Sequence, residues 1–176
     1  SQIKYAKMCS EGIGGKQDID LAKETYKSII YTNNLKLNEI SFRIKNIKNA
    51  IDNCNYDKKS KKYLKFVEKK KEKIQELKER RYKILSNKYY NEAYLQYGKL
   101  CVNYYSDNAE LNNGIEILKT FAKDGECVPG KNKCLTQNGK NYNRQARIAI
   151  KQLGQLFEDG VWTPKTLEEK IFFKPF

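Results

Sequence analysis

The chain has 176 residues, of which 35 are Lys or Arg and 21 are Asp or Glu, so its net charge is +14. Its mean hydropathy is -0.83, and no apolar run approaches the roughly 20 residues that a membrane-spanning helix needs. We therefore predict no membrane span. The sequence contains no histidine, which removes the most common general base and the most common zinc ligand. We expect neither enzymatic activity nor a bound cofactor or metal.

The basic excess predicts an acidic binding partner, which could be a protein, a nucleic acid or an anionic membrane surface. The alternative is a lysine-rich composition whose side chains only solvate the faces of helices. This alternative is favoured by the excess of lysine over arginine and by the acidic residues interspersed among the lysines.

Residues 1–34 are predicted to form a pair of helices, near 1–11 and 18–31, that are joined by a glycine-rich turn. Gly12 follows the first helix, where glycine adopts the left-handed cap conformation. The polar residues 32–34 are predicted to end the second helix. No apolar signal segment is present at Ser1–Lys4, but the pattern places Ser1 inside a helix, so we expect that a segment precedes it.

Residues 35–90 are predicted to form a long antiparallel helical hairpin that reverses within residues 53–60. Apolar residues recur every three or four positions in its first arm, which is typical of a coiled-coil seam. This seam consists of Leu37, Ile40, Ile44, Ile47, Ile51 and Cys54. In the second arm, residues 57–83 contain 13 Lys or Arg and 5 Asp or Glu. That arm either binds phosphates or an acidic partner, or is a solvated outer face, and few aromatic or arginine side chains are present to stack on bases.

Residues 91–124 are predicted to form a second helix pair, and its second helix spans about 109–123. The inward-facing residues of that helix are Leu111, Ile115, Leu118 and Phe121. Residues 125–142 are predicted to form a loop rich in turn residues. Within this loop, Cys127 and Cys134 have no helix to bury them and are predicted to form a disulfide, with a metal site as the weaker alternative. This favours a periplasmic or secreted location, and the cytoplasm is the alternative.

Residues 143–176 are predicted to form a helix, a tight turn and a second helix. The first helix carries one apolar stripe at helical spacing, formed by Ala149, Leu153, Leu156 and Phe157. Gly160 then ends the helix, and Thr163 and Pro164 are predicted to supply the N-cap and the first residue of the next one.

The first and last helix pairs share one pattern, and the first helix of the middle pair shares part of it. Tyr5 corresponds to Leu153, Gly12 corresponds to Gly160, and Gly98 in the middle copy corresponds to Gly154. The pattern Ala-x-x-x-Leu-Gly-x-x-Tyr-x-x-Gly-x-Gly-Val, followed by Asp and by Ala-x-x-x-Tyr, resembles the Sel-one-like repeat, a relative of the tetratricopeptide repeat. The resemblance covers less than half of the chain. It implies an all-α solenoid of stacked helix pairs, with the hairpin inserted between repeats, that binds other proteins without catalysis.

The resemblance implies an adaptor or assembly factor of a bacterial envelope or secretion-related system. The first alternative is an immunity-type inhibitor that binds and neutralises a secreted toxin, and the second is nucleic-acid binding through the basic hairpin. In helical-repeat stacks, the first helices of successive repeats usually line a concave groove. The predicted partner-binding positions in that groove are Asn91, Tyr94, Gln96, Lys99, Arg144, Arg147, Lys151 and Gln155. One aromatic anchor among long polar and cationic side chains suits an acidic protein partner.

Overall fold

The computed structural model describes residues 2–124, 135–137 and 140–166. Within these residues the fold is all-α, as predicted, with six helices and one short β-hairpin. The helices are α1 (Gln2–Glu11), α2 (Ile19–Asp52), α3 (Lys61–Leu85), α4 (Lys88–Asn103), α5 (Asn108–Asp124) and α6 (Arg144–Glu158). The described residues divide into two compact units: one contains the residues up to Tyr26 together with those from Ala93 onwards, and the other is Lys27–Glu92.

α1 and α6 end in the same kind of turn. Gly12 and Gly160 both have a φ of 68°, a left-handed conformation that glycine adopts without steric cost. In each turn the glycine N–H donates to the carbonyl three residues earlier, at 3.4 and 3.2 Å. The next N–H donates to the carbonyl five residues earlier, at 3.0 Å in both turns. These two bonds define a Schellman motif, so the predicted helix ends at both glycines are confirmed.

α2 continues without a break through residues 32–34, so the predicted end of the helix there is wrong. Thr32 and Asn33 each donate a side-chain hydrogen bond to the carbonyl four residues earlier, at 3.0 and 2.8 Å. Asn34 Oδ1 accepts a hydrogen bond of 2.9 Å from the hydroxyl of Tyr90. Polar side chains that favour turns in isolation are therefore satisfied within and around the helix. The predicted boundary between residues 34 and 35 falls inside α2.

Residues 53–60 connect α2 to α3, at the predicted reversal. The Ser60 hydroxyl caps α3 by accepting a hydrogen bond from the N–H of Tyr63 at 3.1 Å. All six predicted seam positions are half-buried, and the residues between them are exposed. Five of the six lie in α2, whereas Cys54 follows the end of that helix. Residues 36–43 of α2 and 77–84 of α3 line one open groove of about 500 Å³. Residues from the middle of α2 and from near the end of α3 thus line the same groove.

α4, α5 and α6 share one buried core. Its members are Leu95 and Val102 of α4, Leu111, Ile115, Leu118 and Ala122 of α5, and Ala146, Ala149, Ile150, Leu153 and Leu156 of α6. Phe121 packs against this core from its edge. A Cβ atom added at Gly114 of α5 would lie 2.9 Å from the carbonyl oxygen of Gly98 in α4. The two backbones therefore approach closely, which only glycine permits.

The segment that the sequence predicts as a loop contains a small β-hairpin. β1 (Leu135–Gln137) pairs antiparallel with β2 (Lys140–Tyr142), with Leu135 opposite Tyr142. Strands of three residues are too short to show an alternating sequence pattern. Asn143 follows and caps α6, because its Oδ1 accepts a hydrogen bond of 2.9 Å from the N–H of Ala146. The predicted start of this helix is confirmed.

Pro164 is not the first residue of a helix, although the sequence predicts it to be. Residues 163–166 lie outside any helix, and the side chain of Pro164 is fully buried. The proline ring therefore contributes to the packing of a non-helical segment. Cys127, Cys134 and residues 167–176 lie outside the described residues, so the predicted disulfide stays a prediction.

Candidate functional site

The four predicted partner-binding residues of α6 lie on one face of the helix. Arg144, Lys151 and Gln155 are exposed, and Arg147 is half-buried. At about 100° per residue they fall within an arc of about 80°. The opposite face of α6 supplies the buried core. The structure thus brings these residues together as one polar, cationic stripe, which we call the α6 stripe.

Arg147 is less exposed to solvent than the other three residues of the α6 stripe. Its Nε atom is buried and has no hydrogen-bond partner among the described residues. Long cationic side chains often cover a helix surface with their stems while the charged end stays in water. The exposed charge of the stripe is therefore carried mainly by Arg144 and Lys151.

The four predicted partner-binding residues of α4 form no comparable face. They spread over an arc of about 200°, and all four are half-buried. Asn91 Nδ2 donates to the carbonyl oxygen of Leu85 at 3.0 Å, which closes the turn between α3 and α4. The ring of Tyr94 lies 6.2 Å from that of Phe121 at an angle of 50°. The predicted aromatic anchor therefore contributes partly to the packing of the fold itself.

A further surface, which the sequence reasoning missed, lies on the outer side of α2. Tyr31, Leu35 and Phe42 are 63, 50 and 63% exposed. Together with the exposed, uncharged Asn38 they fall within an arc of about 60°, roughly half a turn away from the half-buried seam. We call these four residues the α2 outer line. Their spacing of four, three and four residues is a second coiled-coil-like pattern and could have revealed them.

The turn between α2 and α3 carries a dense positive charge. Residues 56–65, which we call the hairpin tip, contain five exposed lysines: Lys58, Lys59, Lys61, Lys62 and Lys65. Tyr56 and Leu64 are also exposed, by 51 and 60%. The ring of Phe66 is in contrast covered, because Tyr56 packs edge-on at 6.1 Å and Lys70 Nζ lies 5.3 Å from the ring centroid. The tip therefore presents lysines with two apolar side chains between them.

A largely buried ion pair links Lys23 of α2 to Glu110 in the first turn of α5. Lys23 Nζ lies 2.8 Å from Glu110 Oε1 and also donates to the carbonyl oxygen of Tyr104. Glu110 Oε2 accepts a hydrogen bond of 2.8 Å from the N–H of Ser106. Burial alone would raise the pKa of Glu110, but the hydrogen bonds from Lys23 and Ser106 outweigh it and the pKa is lowered. Each charged group therefore has a partner, as is typical of an ion pair with a structural role.

The three described cysteines are free thiols. Cys101 is fully buried, whereas Cys9 and Cys54 are half-buried. Burial raises the pKa of the Cys101 thiol, and burial also raises the pKa of the Tyr97 hydroxyl beside it. A thiol that stays protonated is a poor nucleophile. Within the described residues, no group of three His, Cys, Asp or Glu side chains is placed to hold a metal ion.

None of the helices that the structure describes has the length and apolarity needed to cross a membrane. Comparison with protein-family models, with curated proteins and with solved structures gives no match to the chain. The resemblance to the Sel-one-like repeat therefore rests on the residue pattern alone and stays a prediction.

Proposed function

We propose that the chain is a non-catalytic protein-binding scaffold, an adaptor or assembly factor of a bacterial envelope or secretion-related system. In this proposal its helices form a short solenoid of Sel-one-like pairs, and the α2–α3 hairpin is inserted between two of them. The common Schellman turn of α1 and α6 supports the repeat relationship, because both turns have the same hydrogen bonds. A periplasmic or secreted location accompanies the proposal, with the cytoplasm as the alternative.

The observation that carries the proposal is the α2 outer line. Its three large apolar side chains are exposed on one face of the helix, and clustered exposed apolar side chains are typical of interaction sites. Fully burying one large apolar side chain contributes about 1.5–3 kcal/mol, whereas an exposed ion pair contributes about 0–1 kcal/mol. Apolar contacts of Tyr31, Leu35 and Phe42 would therefore supply more affinity than the surface lysines. Their coiled-coil-like spacing fits an amphipathic helix of the partner.

The α6 stripe gives the scaffold a preference for acidic partners. Charges at the rim of an interface mainly accelerate association and reject partners of like charge. Arg144 and Lys151 are exposed on one face and suit this role. Because Tyr94 packs against Phe121, we assign selectivity rather than most of the affinity to the predicted groove residues.

The absence of catalysis is part of the same proposal. The sequence contains no histidine, the charges of Lys23 and Glu110 neutralise each other, and burial raises the pKa of the Cys101 thiol. Neither the Lys23–Glu110 pair nor the Cys101 thiol is therefore suited to act as a general base or a nucleophile.

The immunity-type inhibitor is an alternative that uses the same surfaces on a toxin. A toxin gene beside the gene for this chain would favour it over the adaptor. Nucleic-acid binding through the basic hairpin predicts instead an affinity that falls steeply with salt concentration.

The test is capture of the partner from an extract of the native host by the purified, tagged chain, followed by mass spectrometry. Leu35→Ser combined with Phe42→Ser should reduce recovery of the partner by about tenfold or more. The matched control is Leu64→Ser, which removes an equally exposed apolar side chain outside the outer line and should leave recovery unchanged. Arg144→Glu combined with Lys151→Glu should reduce recovery of an acidic partner about severalfold.

Circular dichroism of each variant establishes that it is folded. The proposal is wrong if the Leu35→Ser, Phe42→Ser protein captures the same partner as well as the unmodified chain. It is also wrong if the capture consists of nucleic acid and disappears after nuclease treatment.

A further inference from the structure

We propose that the hairpin tip, residues 56–65, is a peripheral membrane-binding site that docks on the phosphate surface of an anionic lipid bilayer. This inference is independent of the protein-binding function proposed above. It rests on the charge of the tip, on its two exposed apolar side chains, and on the contacts that Tyr56 and Lys70 make with the ring of Phe66.

The charge of the tip is concentrated and nearly uncompensated. Five exposed lysines face one carboxylate, that of Asp57, which already accepts a hydrogen bond of 3.0 Å from the N–H of Lys59. The positive end of the α3 dipole also lies here, because the helix begins at Lys61. Further along α3 the basic residues are interspersed with four glutamates between residues 68 and 79, and Lys73 pairs with Glu76 at 2.6 Å. Attraction to an anionic surface is therefore strongest at the tip.

The apolar side chains indicate that the occupant is a bilayer. Tyr56 and Leu64 are more than half exposed among the lysines. At a membrane interface, tyrosine lies at the level of the headgroups and leucine enters the boundary with the acyl chains. The lysine stems extend alongside while their ammonium groups reach lipid phosphates. Leucine has no corresponding partner in a nucleic-acid backbone.

The aromatic groups near the tip argue against single-stranded nucleic acid. Binding of that kind uses exposed rings or arginine planes on which bases stack. Residues 56–65 contain no arginine, and the Phe66 ring is occupied by Tyr56 and Lys70. The exposed ring of the tip, that of Tyr56, already packs edge-on against Phe66. Five lysines beside one such ring mainly provide point charges for phosphates, which lipid headgroups supply in a plane.

The experiment is flotation of the purified chain with vesicles of phosphatidylcholine that contain about one third phosphatidylglycerol. The chain should float with these vesicles, should not float with pure phosphatidylcholine, and should dissociate in about 0.5 M salt. Since each lysine near the surface contributes about fivefold to partitioning, Lys61→Gln with Lys62→Gln should weaken it about 25-fold. Lys69→Gln with Lys71→Gln has the same net charge and should change partitioning by less than about threefold.

Leu64→Ser tests the apolar part of the site. It should weaken partitioning about severalfold, because the side chain no longer enters the acyl boundary. Its control is Leu35→Ser with Phe42→Ser, which should leave vesicle binding unchanged and so separates this site from the protein-binding surface.

Three results would overturn the inference. One is no flotation of the unmodified chain with anionic vesicles. Another is an equal loss for both pairs of lysine variants, which would indicate attraction by net charge alone. The third is tighter binding of a single-stranded RNA oligonucleotide that displaces the vesicles and depends on Lys61 and Lys62.

Discussion

The hairpin helices of residues 27–92 and the three helices α4–α6 both carry regular lines of leucine and isoleucine, but they bury them to different extents. The seam positions within α2 are all half-buried, whereas the core residues of α4, α5 and α6 are at most 7% exposed. Two helices can cover only one stripe on each other, and three helices can enclose a core. A regular apolar spacing therefore predicts that a helix has a neighbour and leaves the depth of burial open.

Small residues account for part of this difference. Gly98 and Gly114 let α4 and α5 approach at backbone distance, and Ala146 and Ala149 on α6 are fully buried. Such residues allow three helices to converge with few gaps. The hairpin has large side chains on its outer side instead, such as Phe42.

The largest expected effect is a direct test of this comparison. Leu118→Ala removes a fully buried side chain of α5 and should lower the free energy of unfolding by about 3 kcal/mol, because it leaves a cavity. Ile44→Ala in the half-buried seam should cost roughly 1 kcal/mol, since water already reaches part of that side chain. Native-state hydrogen exchange of the α5 and α2 amides measures the two losses separately. Equal losses would show that the seam is buried as deeply as the core.

A second, smaller effect is expected at the largely buried ion pair between Lys23 and Glu110. Glu110→Gln should lower the free energy of unfolding by about 2 kcal/mol near pH 7, because it leaves the charge of Lys23 buried without a counterion. The pKa of Glu110 is lowered in the folded state, so its contribution is complete above the ordinary value of 4.5 and is lost as the pH falls through the folded value. Urea unfolding at several pH values should show the difference from the unmodified chain shrinking on acidification.

The control for this prediction is Glu11→Gln. Glu11 pairs with Lys7 at 3.8 Å and both side chains are exposed, so we expect a change below about 0.5 kcal/mol. A difference for Glu110→Gln that does not shrink at any acidic pH at which the chain stays folded would contradict the assignment.

The smallest expected effect tests the close approach of α4 and α5. Gly114→Ala places a methyl group 2.8 Å from the Cβ of Cys101 and should cost roughly 1–2 kcal/mol, after the better helix propensity of alanine is counted. Gly15→Ala is the matched control, because no atom lies within 4 Å of its added Cβ. Thermal unfolding of the two variants checks this. A Gly114→Ala protein as stable as the Gly15→Ala protein would mean that the backbones can separate without cost.

Local patterns predicted those features that local chemistry decides. The helix ends at Gly12 and Gly160 follow from the conformational freedom of glycine, and the start of α6 follows from the capping side chain of Asn143. The inward residues of α5 and the seam of α2 follow from helical periodicity. Each of these depends on residues within a few positions of one another.

Features that depend on distant parts of the chain were missed. The apparent break at residues 32–34 is overridden in part by the hydrogen bond from Tyr90 to Asn34, which no local pattern reveals. Tyr94 matches a groove position, but its ring packs against Phe121, 27 residues further along the chain. The α2 outer line is present in the spacing, but the inner seam alone accounts for an amphipathic helix, so the pattern does not mark a second surface.

The interactions of Lys23 have a consequence for folding during synthesis of the chain. Its partner, the carbonyl oxygen of Tyr104, lies 81 residues later in the sequence. Ribosomes add about 5–20 residues per second, so the first helices are synthesised at least several seconds before the residues that neutralise the Lys23 charge exist. Loop closure over such a separation also carries an entropy cost that grows with the logarithm of its length. During synthesis, the first helix pair therefore cannot reach its final packing until α4 and α5 have been made.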